Sequence, residues 1–397
     1  MVYKNELNGV QLPALGFGAM RMPLLPSGQT KDLDQEAVNA MVDYAMAHGV
    51  NYFDTACPYH DGYSEIVIGK ALAKYPRESF FLADKFPGHQ IMESYDPKAV
   101  FEESLKKCGV EYFDYYLLHN VGTNVWARMK QHNVIGFAAE KKAERKIKKL
   151  GISFHDKPEL FDEILSEYAG KIDFVQLQVN YADMETEGVQ ARECLEIAAK
   201  YNLPVTVMEP VKGGTLAKIP AEAEKLLRGM HPDATPASWA LRFAASQKGV
   251  VRVLSGMNSM EQLEDNLKTF ENFKPVTEEE TKILFRAAEI INSQTAVKCT
   301  GCGYCTEGCP KGIAIPKIFA LYNSISRLTG SFSSEHTYYT NLVLQTALAS
   351  SCIKCGKCEQ ACPQHLKIRT LLEACVEKLE NGNVILAPFL EKLKNNG

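Results

Sequence analysis

Residues 96–119 read DPKAVFEESLKKCGVEYFDYYLLH, and this stretch combines a helix pattern with a strand pattern. Its first part, DPKAVFEESLKKCG, is amphipathic with helical spacing, and its second part, YFDYYLLH, is a short apolar run typical of a buried strand. The same alternation of helix and apolar run recurs through residues 1–275. The eight apolar runs are LGFGAM, NYFDTA, FFLADKF, YFDYYLLH, KKLGISF, DFVQLQVNY, PVTVMEP and VRVLSGM.

Strict alternation of eight strands with helices predicts an α/β fold, a (β/α)8 TIM barrel, for residues 1–275. A doubly wound sheet is the alternative. It is disfavoured because GFGAMR lacks the third glycine of a dinucleotide-binding G-x-G-x-x-G motif. Ahead of the first run, YKNELNGVQLPALG is typical of a β-hairpin, because Asn8-Gly9 suits a type I′ turn.

The composition of the 397-residue chain is that of an ordinary globular protein, with 46% apolar and 23% charged residues. A net charge of −4 argues against a nucleic-acid surface. The chain shows neither a secretory signal pattern nor an apolar run long enough to span a membrane, so we expect a cytoplasmic protein. Twelve cysteines in such a chain favour reduced thiols or metal ligation over disulfides.

Two cysteine runs share the spacing C-x2-C-x2-C-x3-C-P, and they read CTGCGYCTEGCP at 299–310 and CIKCGKCEQACP at 352–363. This spacing matches that of bacterial [4Fe–4S] ferredoxins, in which the fourth cysteine generally ligates the other cluster. Zinc is the alternative, but zinc sites usually use CxxC pairs rather than two complete four-cysteine runs. The sequence therefore predicts two [4Fe–4S] clusters. The remaining cysteines are interpreted as small packing residues: Cys57, Cys108, Cys194 and Cys375.

Between the two runs, IPKIFALYNSI and YTNLVLQTALA have helical spacing, unlike the short β-rich connection of a ferredoxin. The arrangement resembles the helical ferredoxin modules attached to many anaerobic redox enzymes. That resemblance implies a small, mainly α-helical ferredoxin-like iron–sulfur domain at 299–397, joined to the barrel through a helix within 276–298. It also implies two ligand sets, which are Cys299, Cys302, Cys305 and Cys362 for one cluster, and Cys352, Cys355, Cys358 and Cys309 for the other.

Four ionisable residues come at or just after the ends of three consecutive predicted strands: Asp54, Tyr59, Lys85 and His119. In a (β/α)8 barrel these ends meet at one rim, where catalysis takes place. Singly, each residue has an ordinary structural explanation, such as a solvated strand end or a core histidine. Together with the pattern FDTA-x-x-Y at 53–59, they resemble the catalytic tetrad of the aldo-keto reductases, and the resemblance covers roughly residues 5–273.

The resemblance implies reduction of a carbonyl to an alcohol with a nicotinamide cofactor, or the reverse reaction. A tyrosine with its ordinary pKa near 10 is a poor acid–base group at neutral pH, and a neighbouring lysine ammonium lowers that pKa. We therefore expect Tyr59 to be the proton donor, with Lys85 and Asp54 tuning its pKa. His119 is expected to donate a hydrogen bond to the substrate oxygen.

The resemblance also indicates a nicotinamide site. Gln176, on the face of its strand that we predict to point inward, matches the residue that binds the cofactor carboxamide, and Ser153 is expected nearby. Family members often have an aromatic residue stacked on the nicotinamide where this chain has Met208. They usually have an asparagine where it has Phe154.

The loops after the last two strands are expected to bind the rest of the cofactor, because barrels commonly bind phosphate there. In EPVKGGTL, Gly213 and Gly214 would let backbone N–H groups approach a pyrophosphate, and Lys212 is an available cation. In SGMNSMEQLEDN, Gly256 begins the loop, and Asn266 matches a position that meets the adenine. This loop has acidic residues and no Lys or Arg for a 2′-phosphate, which favours NADH over NADPH.

Two classes of function remain open. The complete tetrad favours an NAD(P)H-dependent carbonyl reductase or alcohol dehydrogenase whose clusters transfer electrons or dock a redox partner. The alternative is an electron-transfer component whose barrel is a nicotinamide-binding or sensing platform. The basic run KKAERKIKKL at 141–150 is interpreted as a solvated helix face, with a docking patch for an acidic electron carrier as the alternative. Substrate specificity is expected in the loops around Arg21, His60, His89 and Trp126.

Overall fold

The structure, a computed structural model, describes most of the chain. The described residues are 1–7, 10–27, 29, 31–88, 95–186, 189–271, 273–293, 296–297, 299, 303–326, 333–362 and 366–388. The predicted turn Asn8-Gly9, the loop residue His89 and the predicted ligand Cys302 lie outside these ranges.

Eight parallel strands close into a barrel, which confirms the predicted TIM barrel and excludes the doubly wound sheet. Each predicted apolar run supplies one strand, and the last strand pairs with the first, with Val253 opposite Leu15. An antiparallel hairpin precedes the barrel, formed by β1 (Lys4–Leu7) and β2 (Val10–Pro13). The barrel strands are β3 (Leu15–Gly18), β4 (Tyr52–Asp54), β5 (Phe81–Phe86), β6 (Phe113–Val121), β7 (Ile147–Phe154), β8 (Phe174–Gln178), β9 (Val205–Met208) and β10 (Val250–Gly256).

Helices follow the barrel strands and continue after β10. The helix predicted to follow the barrel is present, and it begins with a capping box. The Thr277 backbone N–H donates to Glu280 Oε2 at 2.7 Å, and the Glu280 N–H donates to Thr277 Oγ1 at 3.2 Å.

No described helix is both long and apolar enough to cross a membrane. The α-helices are α1 (Gln35–Ala47), α2 (Ser64–Leu72), α3 (Pro97–Cys108), α4 (Thr123–Gln131), α5 (Val134–Ala143), α6 (Pro158–Tyr168), α7 (Ala191–Lys200), α8 (Ala221–Met230), α9 (Pro236–Ala245), α10 (Met260–Glu271), α11 (Glu278–Ser293), α12 (Tyr304–Glu307), α13 (Ile315–Ile325), α14 (Ser334–Val343), α15 (Lys357–Gln360) and α16 (Ile368–Cys375).

The stretch 96–119 folds as helix α3 followed by strand β6. The side chain of Asp96 accepts a hydrogen bond from the backbone N–H of Lys98 at 2.9 Å and so caps the start of the helix. Gly109, with a φ of 66°, ends the helix in the left-handed conformation that glycine adopts readily. A short loop then leads into β6, which carries His119 near its C-terminal end.

Strand β5 shows how the barrel separates its interior from its layer of helices. Phe86 points outward, where its ring centroid lies 6.1 Å from that of Phe101 and 4.6 Å from that of Tyr116. Ala83 belongs to a small apolar cluster inside the barrel. Because side chains alternate along a strand, Lys85 shares the inward face with Ala83. The pleat of β5 therefore places the Lys85 ammonium at the interior of the rim.

The chain after α11 has an apolar core of its own and is helical, as predicted. Helix α13 packs against α14 and α16, and the core includes Ile318, Phe319 and Leu372. The hydroxyl of Tyr339 donates a hydrogen bond to the carboxylate of Glu380. The predicted domain boundaries at 275 and 298 stay predictions.

Helix α14 joins this helical part to the barrel. Asn341 Nδ2 donates to the carbonyl oxygen of His155 at 3.3 Å, and the Tyr338 ring lies 5.6 Å from the His155 ring. Since His155 directly follows β7, α14 lies at the C-terminal ends of the barrel strands. The helical part therefore contacts the rim that carries the predicted active site.

Candidate active site

A buried ion pair lies at the C-terminal ends of β4 and β5. Lys85 Nζ is 2.6 Å from Asp54 Oδ1 and 2.6 Å from the carbonyl oxygen of Thr55, and it donates to both. Both charged side chains are buried. Burial alone would lower the pKa of Lys85, but Asp54 and Tyr59 raise that pKa above its ordinary value. The lysine therefore remains an ammonium at neutral pH.

Tyr59 and His119 complete the group at the rim. Tyr59 begins a 3-10 turn, Tyr59–Gly62, and its ring centroid lies 4.7 Å from Lys85 Nζ. The His119 ring is 5.8 Å from the Tyr59 ring and nearly perpendicular to it. Gly88 has no room for a side chain, because an added Cβ would lie 2.3 Å from the carbonyl oxygen of His119. The structure brings all four predicted catalytic side chains together.

The acidity of Tyr59 differs from the expectation drawn from the sequence. Burial raises the pKa of Tyr59 above its ordinary value, and the Lys85 ammonium opposes this shift without reversing it. The lysine thus acts in the expected direction, but the expected net lowering is not found because burial outweighs it. The phenol is therefore protonated at neutral pH, as a proton donor in carbonyl reduction must be.

The cysteine runs form a second site in the helical part of the chain. One cavity there is lined by four thiol-bearing residues: Cys309, Cys352, Cys355 and Cys358. The last cysteine of the first run thus meets the first three of the second run, as the predicted crossing requires. Cys305 and Cys362 are buried in the same apolar core, and Cys299 packs against it. A set of four thiols fits an iron–sulfur cluster or zinc.

Profiles of known families match both parts of the chain. A profile of the Aldo/keto reductase family matches residues 14–289, and a profile of a 4Fe-4S dicluster domain matches residues 298–366. The chain belongs to the aldo/keto reductase family. It is an NAD(P)-dependent oxidoreductase of this family with a 4Fe–4S dicluster domain following the barrel.

Individual proteins are also similar to this chain. A probable aldo-keto reductase of Glycine max is 31% identical over 153 residues, which are 36% of this chain and 42% of that protein. The NADH-specific methylglyoxal reductase of Escherichia coli is 24% identical over 284 residues, 59% of this chain and 83% of the relative. A solved aldo-keto reductase of Bacillus halodurans, in its holo form, has a TM-score of 0.58 and 26% identity, covering 72% of this chain and 96% of its own. The chain thus spans less than half the length of the soybean relative and most of the other two.

The aldo/keto reductase residues predicted to bind nicotinamide lie on three neighbouring strands. Ser153 is opposite Gln176 in the pairing of β7 with β8, and its hydroxyl is 3.9 Å from the sulfur of Met208. Gln176 Nε2 donates to Asp54 Oδ2 at 3.1 Å, which connects this group to the lysine pair. The structure brings the three residues to the rim beside the tetrad, and their contact with nicotinamide stays a prediction.

Lys212 is held in a buried charge network rather than on the surface of its loop. Its Nζ is 2.6 Å from Asp183 Oδ1 and 3.6 Å from Glu335 Oε1. Asp183 also accepts hydrogen bonds from Gln178 at 3.0 Å and Asn180 at 2.9 Å. Burial would raise the pKa of Asp183, but Lys212 and the two amides lower that pKa. Because the ammonium is neutralised, the geometry does not favour a phosphate-binding role for Lys212.

The two carboxylates near Lys212, those of Asp183 and Glu335, were not predicted from the sequence to lie at the site. Asp183 follows the end of β8 by a few residues, so the rule that located Lys85 and His119 could also have placed it at the rim. Glu335 belongs to α14 in the helical part, and nothing in the sequence relates it to a loop of the barrel.

Gly213 and Gly214, in the same loop as Lys212, leave space for a ligand. Their backbone N–H groups, however, already donate to other atoms of the protein. Gly213 and Gly214 have φ values of 62° and 96°, and a Cβ added to Gly214 would meet nothing within 4 Å. The Gly214 N–H donates to the carbonyl oxygen of Val211 at 3.1 Å. Burial raises the pKa of Glu209, and Arg21 and a hydrogen bond from the Gly213 backbone oppose this shift. A pyrophosphate at Gly213 would therefore replace the Glu209 carboxylate.

The loop after β10 has a basic neighbour that the sequence did not predict. An added Cβ at Gly256 would lie 3.3 Å from the Cβ of Arg21, so Arg21 packs directly on this loop. An Arg21 guanidinium nitrogen is 3.8 Å from Glu209 Oε1. Asn266 is buried, and its side-chain amide donates to Ser255 Oγ at 2.8 Å. The loop itself has no Lys or Arg, but Arg21 from another part of the chain packs against it.

Two residues expected to shape substrate specificity differ in their placement. His60 Nε2 accepts a hydrogen bond from the backbone N–H of Met22 at 3.2 Å, next to the rim. Trp126, by contrast, is buried, and its ring lies 5.2 Å from that of Tyr168. The position of Trp126 in the apolar core does not favour a role in substrate specificity.

Proposed function

We propose that the protein reduces a carbonyl compound to an alcohol, or catalyses the reverse reaction, with NAD(P)H. One observation carries the proposal. A protonated phenol, a buried ammonium–carboxylate pair and an imidazole are grouped at one rim of the barrel. A small carbonyl substrate bound between Tyr59 and His119 would contact both groups.

Each of the four side chains has a role that follows from its surroundings. Bound nicotinamide supplies or takes up the hydride. Tyr59 gives a proton to the carbonyl oxygen in reduction and takes it back in oxidation. Lys85, held by Asp54, stabilises the phenolate that remains after proton transfer. His119 donates a hydrogen bond to the substrate oxygen and fixes its orientation.

For the cofactor, we propose that NADH binds at least as tightly as NADPH. The proposed contacts are Ser153, Gln176 and Met208 for nicotinamide, Gly213, Gly214 and Gly256 for the phosphates, and Asn266 for the adenine end. The acidic Glu261 and Glu264 of α10, and the relative named as NADH-specific, support NADH. Titration with both nucleotides tests this preference. Tighter binding of NADPH that is lost in Arg21→Ala would assign the 2′-phosphate to Arg21 and contradict the proposal.

We further propose that the eight cysteines of the two runs hold two [4Fe–4S] clusters, in the crossed ligand sets given above. The shared cavity supports the set that contains Cys309. Protein purified anaerobically is expected to contain about eight irons, because two sites with four cysteines each hold two cubanes. Zinc in place of iron, or about four irons, would contradict this assignment.

One feature favours the alternative function, in which the protein is an electron-transfer component and its barrel is a nicotinamide-binding or sensing platform. Cys355 is exposed beside the cavity, which would make a cluster there accessible to a partner. Iron chelation separates the two functions, with intact far-UV circular dichroism of the barrel as control. A carbonyl reductase without its iron should still oxidise NADH when aldehydes such as methylglyoxal are supplied. Loss of all aldehyde-dependent turnover in folded, iron-free protein would favour the electron-transfer component.

A further inference from the structure

The cavity lined by four cysteines reaches the protein surface at an apolar point. Cys355 is exposed there, and Ile353, two residues before it, exposes 57% of its surface. Both residues line the cavity together with Cys352 and Cys358. A macromolecule that exchanges electrons with a group held by these thiols would approach from this side.

Cationic side chains surround this point. The cations are Lys311 and Arg369, which line the cavity, Lys354 and Lys357, which adjoin residues that line it, and Lys367, whose charge acts on Glu359, the ion-pair partner of Arg369. Two carboxylates oppose them, Glu359 at 2.8 Å from Arg369 and Glu373 at 2.7 Å from Lys354. The described side chains thus leave an excess of positive charge here, on a chain whose net charge is −4. These five cations and Ile353 are called the cluster-edge surface below.

The other basic segment, 141–150, differs in both charge and position. Lys142 and Lys149 pair with Asp173 at 2.5 and 3.6 Å, and Lys148 pairs with Asp114 at 3.0 Å. The segment leads into β7, so it lies at the N-terminal ends of the barrel strands, opposite the rim contacted by α14. A carrier docked there would be separated from the cysteines by the length of the barrel.

We propose that the cluster-edge surface docks an acidic one-electron carrier protein, an inference that rests on the proposed clusters. Opposite charge speeds association and orients the partner, and an exposed apolar centre provides contact that excludes water. Cys309, Cys352, Cys355 and Cys358 would hold the cluster, which would accept one electron from the reduced carrier and leave that carrier oxidised by one electron.

Binding of a purified acidic ferredoxin to the full-length, anaerobically isolated protein tests this surface. The variant K357E/K367E reverses two cations outside the ion pairs with Glu359 and Glu373. The matched control R145E/K146E makes the same charge change at two exposed positions in the segment 141–150. At low salt we expect the Kd of K357E/K367E for ferredoxin to rise about tenfold or more. Exposed charges at the edge of an interface attract an oppositely charged partner as it approaches, and salt screens this attraction. The control should keep the wild-type Kd, and wild-type binding should weaken as salt rises.

An unchanged Kd in K357E/K367E, or equal weakening in both variants, would overturn the proposal. Absence of ferredoxin binding by the wild type would also overturn it, as would equally tight binding of the basic carrier cytochrome c. Iron content and aldehyde turnover of the same preparations identify which statement fails. Protein with about eight irons that reduces aldehydes but binds no ferredoxin refutes this surface alone. Protein without iron refutes both the clusters and the surface.

Discussion

Two buried lysine–carboxylate pairs lie at the same rim of the barrel and have the same shortest N–O distance. They are Lys85 with Asp54 and Lys212 with Asp183, each with an N–O distance of 2.6 Å. The two lysines differ in the third side chain that each of them approaches. Lys85 lies 4.7 Å from the ring centroid of Tyr59, whereas Lys212 lies 3.6 Å from the carboxylate of Glu335 in α14.

Under the proposed function, a buried ion pair at this rim is not in itself a sign of catalysis. Desolvation offsets much of the attraction between the two charges of such a pair, so we relate the role of each pair to the third group that its lysine approaches. In the proposed mechanism, the Lys85 pair acts on the Tyr59 hydroxyl, which transfers a proton. The other holds a loop of the barrel against a helix of the cysteine-rich part. Substitution of each lysine by methionine tests whether the two pairs have these different roles.

The largest effect is expected for Lys85→Met. We expect kcat for aldehyde reduction to fall about 100-fold or more, because the phenolate of Tyr59 loses its stabilising charge. Asp54 would remain buried without its partner, so the free energy of unfolding should fall by about 3 kcal/mol. Steady-state kinetics and urea unfolding measure the two effects, with the exposed Lys70→Met as control. A kcat near that of the wild type would remove the proposed role of the lysine.

Lys212→Met should be equally destabilising but less damaging to catalysis. It leaves Asp183 and Glu335 buried without a cation, which predicts a loss of about 3 kcal/mol in urea unfolding. Hydrogen exchange should accelerate together in residues 212–217 and 334–343, since Lys212 contacts both segments. With saturating NADH, kcat should stay within about tenfold of the wild type, because the proton donor and its tuning pair are intact. A fall in kcat as large as that of Lys85→Met would show that the Lys212 pair also contributes to catalysis.

A smaller effect is expected for Glu335→Gln. Asp183 still neutralises Lys212, so the unfolding free energy should fall by only about 1 kcal/mol, the range of one hydrogen-bonded interaction. NADH should bind a few-fold more weakly if α14 helps to position the loop. Fluorescence titration of NADH measures this, with the exposed Glu377→Gln as control. Unchanged hydrogen exchange at 212–217 would show that Glu335 does not restrain the loop.

The pH dependence should be the least conspicuous effect. Because the pKa of Tyr59 lies above its ordinary value near 10, the phenol keeps its proton at neutral and mildly alkaline pH. Aldehyde reduction, which needs the protonated form, should therefore be insensitive to this group up to about pH 9.5. Alcohol oxidation, which needs the phenolate, should accelerate as pH rises. A decline of kcat for reduction with a midpoint near pH 7 would contradict the raised pKa.

The elements of the barrel could be predicted because each depends on a short stretch of sequence. Eight apolar runs alternating with helices fix the strand order, and the ends of β4, β5 and β6 then place the tetrad at one rim. The cysteine spacing likewise predicted which thiols share the cavity. In the barrel the local pattern determines the long-range arrangement, because parallel strands in a closed barrel all end at the same face.

The rest depended on contacts that no local pattern encodes. Arg21 packs on Gly256 because the first and last strands of the barrel are neighbours, and Glu335 reaches Lys212 because α14 docks on the rim. The net pKa shift of Tyr59 depends on how deeply its hydroxyl is buried, which residue spacing does not show. The sequence therefore indicated which side chains meet at the rim, and their catalytic roles stay predictions. It did not indicate the contacts of Arg21 with Gly256 or of Glu335 with Lys212.

Tyr59→Phe tests whether Tyr59 donates the proton. This variant removes one hydroxyl, and Tyr63→Phe is a matched control at a neighbouring tyrosine that is 47% exposed. We predict that kcat for aldehyde-dependent NADH oxidation falls about 100-fold or more in Tyr59→Phe. The Kd for NADH should stay within about twofold of the wild type, because only the proton donor is lost. Tyr63→Phe should retain wild-type activity. Aldehyde reduction by Tyr59→Phe at a rate near that of the wild type would contradict the account.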